Sequence, residues 1–154
     1  MRVDTKEIDR RIKAFTAKAS EAGVKLTHQR LEIFREVAAS AEHPDAEEIL
    51  NAVKPRMPTV SLDTVYRTLW LLGDLGLVTT LGPRRQSVRF DANLRNHHHF
   101  VCDRCGMVRD FESAEFDRIR VPAAVRALGT AVRAQVEIRG ICEQCNKHQR
   151  RKKS

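Results

Sequence analysis

Apolar residues recur every three or four positions through the first half of the chain. Ile8, Ile12, Phe15, Ala19 and Ala22 mark one face of a first helix, and Gly23 is placed to stop it. Thr27 caps a second helix carrying Leu31, Phe34, Val37 and Ala38. Asp45 with Glu48 three residues on has the form of a capping box. It opens a third helix with Ile49, Leu50 and Val53, closed by Pro55 and Pro58. Ser61 caps a fourth, with Leu62, Val65, Leu69 and Leu72 on one face and Gly76 beyond it. The period then changes. Leu77–Leu81 and Val88–Asp91 read as strands flanking Gly82-Pro83-Arg84-Arg85-Gln86-Ser87, a hairpin tip.

A run of helices followed by a basic hairpin predicts a winged helix-turn-helix over residues 1–90, with the fourth helix entering the major groove N-terminus first. Its outward residues are then Asp63, Thr64, Tyr66 and Arg67. Arg67 can fork onto guanine, while Thr64 and Tyr66 can reach phosphates or thymine methyls. Arg84, Arg85 and Arg89 on the wing suit phosphates or the minor groove. A plain helical bundle with a solvated hairpin satisfies the same pattern. Trp70 is expected in the core.

Beyond residue 90 the pattern changes character. Residues 91–96 are polar and read as a hinge. Residues 97–102 read as a strand, Met107–Phe111 as another, Ser113–Leu128 as a helical run broken or restarted by Pro122, and Ala131–Ile138 as a last strand. The fold class expected is α+β: an N-terminal winged helix joined to a smaller C-terminal α/β domain over 97–146, with a basic tail at 147–154.

Four cysteines in two Cys-x-x-Cys knuckles, Cys102/Cys105 and Cys142/Cys145, are separated by 36 residues, and there are no others. Two residues between thiolates let both point at one ion, and four thiolates complete a tetrahedral shell for a structural Zn2+. Disulfides are disfavoured in a cytoplasmic chain, and a redox pair needs only one knuckle.

The run His97-His98-His99 is the second signal. On a strand His97 and His99 share a face and His98 points the other way. The Cys102–Cys105 knuckle should fold the next strand back so that residue 102 sits near 107 and residue 99 near 110. That brings Asp110 toward His97 and His99 and leaves a coordination sphere incomplete, with Asp91 and His43 as candidates to complete it. A solvated histidine patch is the alternative. His98 and His148 are expected to be solvated.

Charge changes this picture little. Lysine and arginine number 28 against 20 acids, for a net charge of +8. Residues 1–92 carry only 15 basic against 13 acidic groups, whereas residues 146–154 carry five basic and none acidic. Most of the excess therefore sits in the tail, a non-specific contact or solubility element. No run approaches the ~20 apolar residues of a membrane-spanning helix, and the start lacks the apolar run of a secretory signal. A soluble, cytoplasmic protein is expected.

The order of these motifs resembles the ferric-uptake-regulator (Fur) superfamily over about residues 8–146. The residues that carry the resemblance are Leu26-Thr27-x-Gln29-Arg30, His43-Pro44, Ser61-x-x-Thr64-Val65-Tyr66-Arg67-x-Leu69, Gly76-Leu77-Val78, Arg89-Phe90-Asp91, the His97–Cys105 block and Gly140-x-Cys142-x-x-Cys145. The resemblance implies a homodimeric, metal-dependent repressor of double-stranded operator DNA, not an enzyme, whose C-terminal domain dimerises. It maps the regulatory ligands for Fe2+ or Mn2+ onto His43, Asp91, His97, His99 and Asp110. Aspartate at both carboxylate positions resembles the peroxide-sensing branch of the superfamily. There peroxide reacts with the ferrous form and a ligand histidine becomes 2-oxo-histidine. The oxidation-sensitive positions would be His43 and His97, and no small molecule beyond metal and peroxide would be bound. An iron- or zinc-responsive uptake repressor on the same scaffold is the alternative. Ala134-Gln135 stands where some members carry histidines of a further metal site, so no such site is expected. His28 replaces the proline common at the start of the second helix.

Overall fold

The computed structural model describes residues 3–81 and 88–152, which divide into two compact units between Leu94 and Arg95. In the first, four helices form where local signals start and stop them: α1 (Thr5–Glu21), α2 (His28–Ala39), α3 (Ala46–Val53) and α4 (Leu62–Asp74). Gly23 and Gly76 follow α1 and α4 with φ of +65° and +69°, the left-handed conformation that ends a helix at least cost to glycine. Thr27 accepts from the Arg30 N–H, and Asp45 and Glu48 close the capping box in both directions. The Ser61 hydroxyl accepts from the Thr64 N–H. Each such cap contributes about 1 kcal/mol.

The apolar faces of these helices converge. Phe15, Phe34, Val37, Ile49, Val53, Val65, Leu69 and Leu72 are all buried, with Leu77, Val78 and Phe90 closing the same core. Strands β1 (Thr79–Leu81) and β2 (Arg89–Asp91) pair antiparallel, with Thr79 opposite Asp91. Arg84 and Arg85, expected on the wing, lie outside the described residues. Trp70 does not join the core. It is 51% exposed and meets Phe90 edge-on at 6.0 Å. At 100° per residue, position 70 falls well away from the Val65–Leu69–Leu72 stripe, so helical phase overrides hydrophobicity.

The second unit is built on a three-stranded sheet of order β4-β3-β5, from β3 (His98–Cys102), β4 (Val108–Phe111) and β5 (Glu137–Gly140). β3 runs antiparallel to β4 and parallel to β5. The register pairs His99 with Asp110 and Val101 with Val108, and the Cys102 N–H donates to the Met107 carbonyl, as the knuckle spacing predicts. The link between β4 and β5 differs from expectation. A single 3-10 turn (Phe116–Arg118) and the short α5 (Ala123–Leu128) replace the long helical run, and residues 131–136 form no strand. Pro122, which disfavours helix at the residue before it, occupies the N-cap position of α5 in extended conformation. Helix α6 (Glu143–Lys152) continues from the second knuckle into what composition marks as the tail.

Candidate metal centres and nucleic-acid interface

Both knuckles belong to the second unit. Cys102 ends β3, and the tight turn to Cys105 is closed by the Gly106 N–H donating to the Cys102 carbonyl at 2.9 Å. Gly106 adopts a φ of +74°, which lets the turn close without a side-chain clash. The parallel pairing of β5 with β3 sets Gly140 opposite Cys102 and so delivers the second knuckle to the first. The four sulfurs lie within 4.8 Å of one another, and Cys105 Sγ is 3.8 Å from Cys142 Sγ. Tetrahedral Zn–S bonds of about 2.3 Å place sulfurs about 3.8 Å apart, the spacing of the Cys105–Cys142 pair, so the cluster fits a Zn2+ site. The distance is far from that of a disulfide, and all four are free thiols.

The surroundings prepare the first thiolate. Backbone N–H groups of Cys105 and Cys142 aim at Cys102 Sγ, the latter at 3.2 Å, and hold its pKa down at about 6. Hydrogen bonding of its thiol to Cys142, followed by burial, pushes Cys145 up to about 12. One negative charge is thus stabilised by the fold, and a divalent cation supplies the compensation for the others.

In the first unit, His43 Nε2 lies 3.4 Å from Asp91 Oδ2, and both residues are buried. Backbone contacts place them. The Phe90 N–H donates to the Pro44 carbonyl at 3.0 Å, and Arg89 reaches the carbonyls of Glu42 and His43. His43 itself takes a φ of +54°, in the left-handed region that histidine enters more readily than most residues. Asp91 Oδ1 accepts from the Asn93 N–H at 2.8 Å, leaving Oδ2 toward the imidazole.

In the second unit, His97 and His99 cross edge to face with Nε2 atoms 3.1 Å apart. Asp110 Oδ1 stands 3.8 Å from His97 Nε2 and 3.4 Å from His99 Nε2. The Arg95 carbonyl sits 2.7 Å from His97 Nδ1 and draws the ring proton there, which leaves an Nε2 lone pair facing the cluster. Two buried imidazoles thus converge with a carboxylate that is open to solvent, a set that favours a cation. Nitrogen and oxygen donors of this kind suit Fe2+, Mn2+ or Zn2+.

His98 is buried rather than solvated. Its Nδ1 accepts from the Val136 N–H, its Nε2 faces Asp117 at 3.2 Å, and Phe111 and Phe116 flank the ring. Nothing local in the sequence marks the segments that cover it. His148 is exposed.

The fourth helix presents the side chains expected of a reader. Tyr66 and Arg67 are exposed, and Thr64 is half-buried with its hydroxyl 3.0 Å from that of Ser61. Thr64, Arg67 and Thr68 share a groove of about 330 Å³ with Thr27, Gln29 and Arg30 at the start of α2. The Gln29 and Arg30 contribution was not evident from helical phase, because it depends on how α2 packs on α4.

The model of the ferric uptake regulator family matches residues 21–139. The chain belongs to the ferric uptake regulator family. A similar family member, the peroxide-responsive repressor PerR of Staphylococcus epidermidis, is 34% identical over 94% of this chain and 97% of its own length. Among solved structures, the ferric uptake regulator of Pseudomonas aeruginosa with manganese is 29% identical, with a TM-score of 0.65 over 83% of this chain and 97% of that one. PerR from Streptococcus pyogenes, described in terms of peroxide sensing and gene regulation, is 27% identical. Its TM-score is 0.51 over 94% of this chain and 95% of that one. Family membership accounts for the mixed helix and sheet architecture and for the four-cysteine cluster. Among the described residues no helix is long and apolar enough to cross a membrane.

Proposed function

We propose that this regulator is a metal-dependent transcriptional repressor that binds double-stranded operator DNA as a homodimer and releases it when peroxide oxidises a ligand histidine. The observation that carries the reading is the donor set. Each unit offers part of it, His43 with Asp91 in the first and His97 and His99 with Asp110 in the second, both carboxylates are aspartates, and no thiol is among them. Zn2+ belongs to Cys102, Cys105, Cys142 and Cys145, and Fe2+ or Mn2+ to the five nitrogen and oxygen donors. Bound Fe2+ supplies the electrons that reduce peroxide beside the imidazoles.

The chain's own residues do the rest. Asp91 and Asp110 balance the charge of a divalent ion, and the Arg95 carbonyl keeps the His97 Nε2 lone pair turned inward. With the thiols committed to zinc, the ligand histidines are left beside the iron, and the resemblance to the peroxide-sensing branch singles out His43 and His97 among them. Ligands drawn from both units, with Asp91 at the hinge segment 91–96, tie the DNA-binding unit (1–90) to the dimerisation unit (97–146) when all five are engaged. Shifting such an ensemble from 1:99 to 99:1 needs about 5.5 kcal/mol of differential affinity. Loss of one histidine ligand removes part of that stabilisation and releases the operator. Dimerisation is supported by the apolar residues left exposed in the second unit, among them Leu128, Val132, Ile119 and Ile138.

The test is DNA binding by full-length protein to a duplex selected from a randomised library. Fe2+- and Mn2+-loaded protein should both bind, metal-stripped protein should not, and peroxide should release only the Fe2+-loaded form. Retention of DNA by the Fe2+ form after peroxide, with binding that tracks iron or zinc concentration, would instead identify an uptake repressor.

A further inference from the structure

The reading helix has an unusual charge balance for a DNA-facing element. Over Leu62–Asp74 it carries Asp63 and Asp74 against a single Arg67, a net charge of −1. Asp63 lies in the first turn, the end that enters the groove first. A carboxylate there is repelled by every nearby phosphate and lowers affinity for all sequences alike. Its presence calls for a compensating role.

The structure supplies one. Asp63 Oδ2 is 3.0 Å from Arg67 Nε, across one turn of helix, with side chains 74% and 76% exposed. An ion pair so open to water contributes little to folding. Its effect is geometric. The carboxylate engages the Nε side of the guanidinium. Among the described residues no hydrogen bond occupies the two Nη groups at the far end, and these are the donors that fork onto O6 and N7 of guanine. Arg67 also lines the groove with Thr64 and Gln29, so a guanidinium free to swing has competing positions. Among the other side chains of the first two turns none is charged.

We propose that Asp63 is a positioning residue for sequence reading: it holds Arg67 so that its Nη pair faces a guanine in the major groove. The inference rests on the reading of α4 as the groove-entering helix. Asp63 gives up general affinity and gains discrimination at the base that Arg67 reads.

The experiment compares Mn2+-loaded full-length wild type, Asp63→Ala, Arg67→Ala and the double variant. Each is titrated with a duplex selected by wild type from a randomised library, its single-base variants, and a scrambled duplex. Both residues are exposed, so all four proteins should fold. Wild type should prefer guanine at one position per half-site by about fivefold or more, the range of a bidentate base contact. Asp63→Ala should bind the scrambled duplex more tightly yet lose most of that preference. Arg67→Ala should lose preference at the same position, and the double variant should be no worse than Arg67→Ala.

Two results overturn the proposal while leaving α4 as the reader. Asp63→Ala could tighten both duplexes equally with preference intact, which makes Asp63 a repulsive charge only. Or the two variants could lose preference at different positions, which makes Asp63 a base contact in its own right. If wild type enriches no sequence, the reading of α4 falls and the proposal falls with it.

Discussion

Removing the zinc should unfold one half of this protein and spare the other. The buried apolar residues are divided unevenly. Among the described residues beyond Leu94 they are Cys102, Val108 and Cys142, two of them the metal's own ligands. Burying one aliphatic side chain such as Val108 contributes about 1.5–3 kcal/mol, whereas a structural zinc site contributes about 10–16 kcal/mol. A unit of this size cannot offset its ordering entropy on one valine. Before Arg95, by contrast, Phe15, Phe34, Ile49, Leu69, Leu72 and Phe90 share a continuous core that owes nothing to the cysteines. The perturbation is Cys142→Ser with Cys145→Ser, which leaves no second knuckle. The assay is amide hydrogen exchange with mass analysis. Protection of β3, β4 and β5 should be lost, dimerisation should go with it, and α1–α4 should keep wild-type protection. Retained protection of His98–Cys102 in the zinc-free variant would refute the reasoning.

Other expectations follow from single residues. His43→Ala should leave zinc content and dimerisation unchanged while abolishing Mn2+-dependent operator binding, measured by gel shift. Unchanged metal dependence would separate His43 from the regulatory ion. Leu69→Ala removes a fully buried side chain from α4 and should destabilise the first unit by about 2–5 kcal/mol in a denaturant melt, with zinc content unaffected. Deleting residues 147–154 removes five cationic side chains and should flatten the salt dependence of DNA binding while preserving sequence preference, measured as affinity against ionic strength.

Much of this was legible in the sequence where the cause was local. Thr27, Asp45 with Glu48, and Ser61 each predicted a helix start because a cap is decided within four residues. The pairing of His99 with Asp110 followed from a two-residue knuckle that leaves little freedom in register. What escaped was set by distant packing. Residues 113–136 lack a sustained apolar period, so the helical run was read too long and the last strand was read from Ala131 rather than Glu137, although Pro122 did mark the restart that becomes α5. Burial of His98 depends on Phe116 and Val136, which arrive from that same segment. Trp70 was legible and misread: its size argued for the core, while its helical phase pointed outward. The hold of the Arg95 carbonyl on His97 left no sequence signal, since it is a backbone contact.

The central claim is that histidine, not cysteine, senses peroxide. Its most direct test is peptide mass analysis of the Fe2+-loaded protein before and after a stoichiometric dose of peroxide. Peroxide should add one oxygen atom to the peptide holding His43 or that holding His97, with all four cysteines unmodified. Oxidation confined to Cys102, Cys105, Cys142 or Cys145, with both histidines intact, would contradict it.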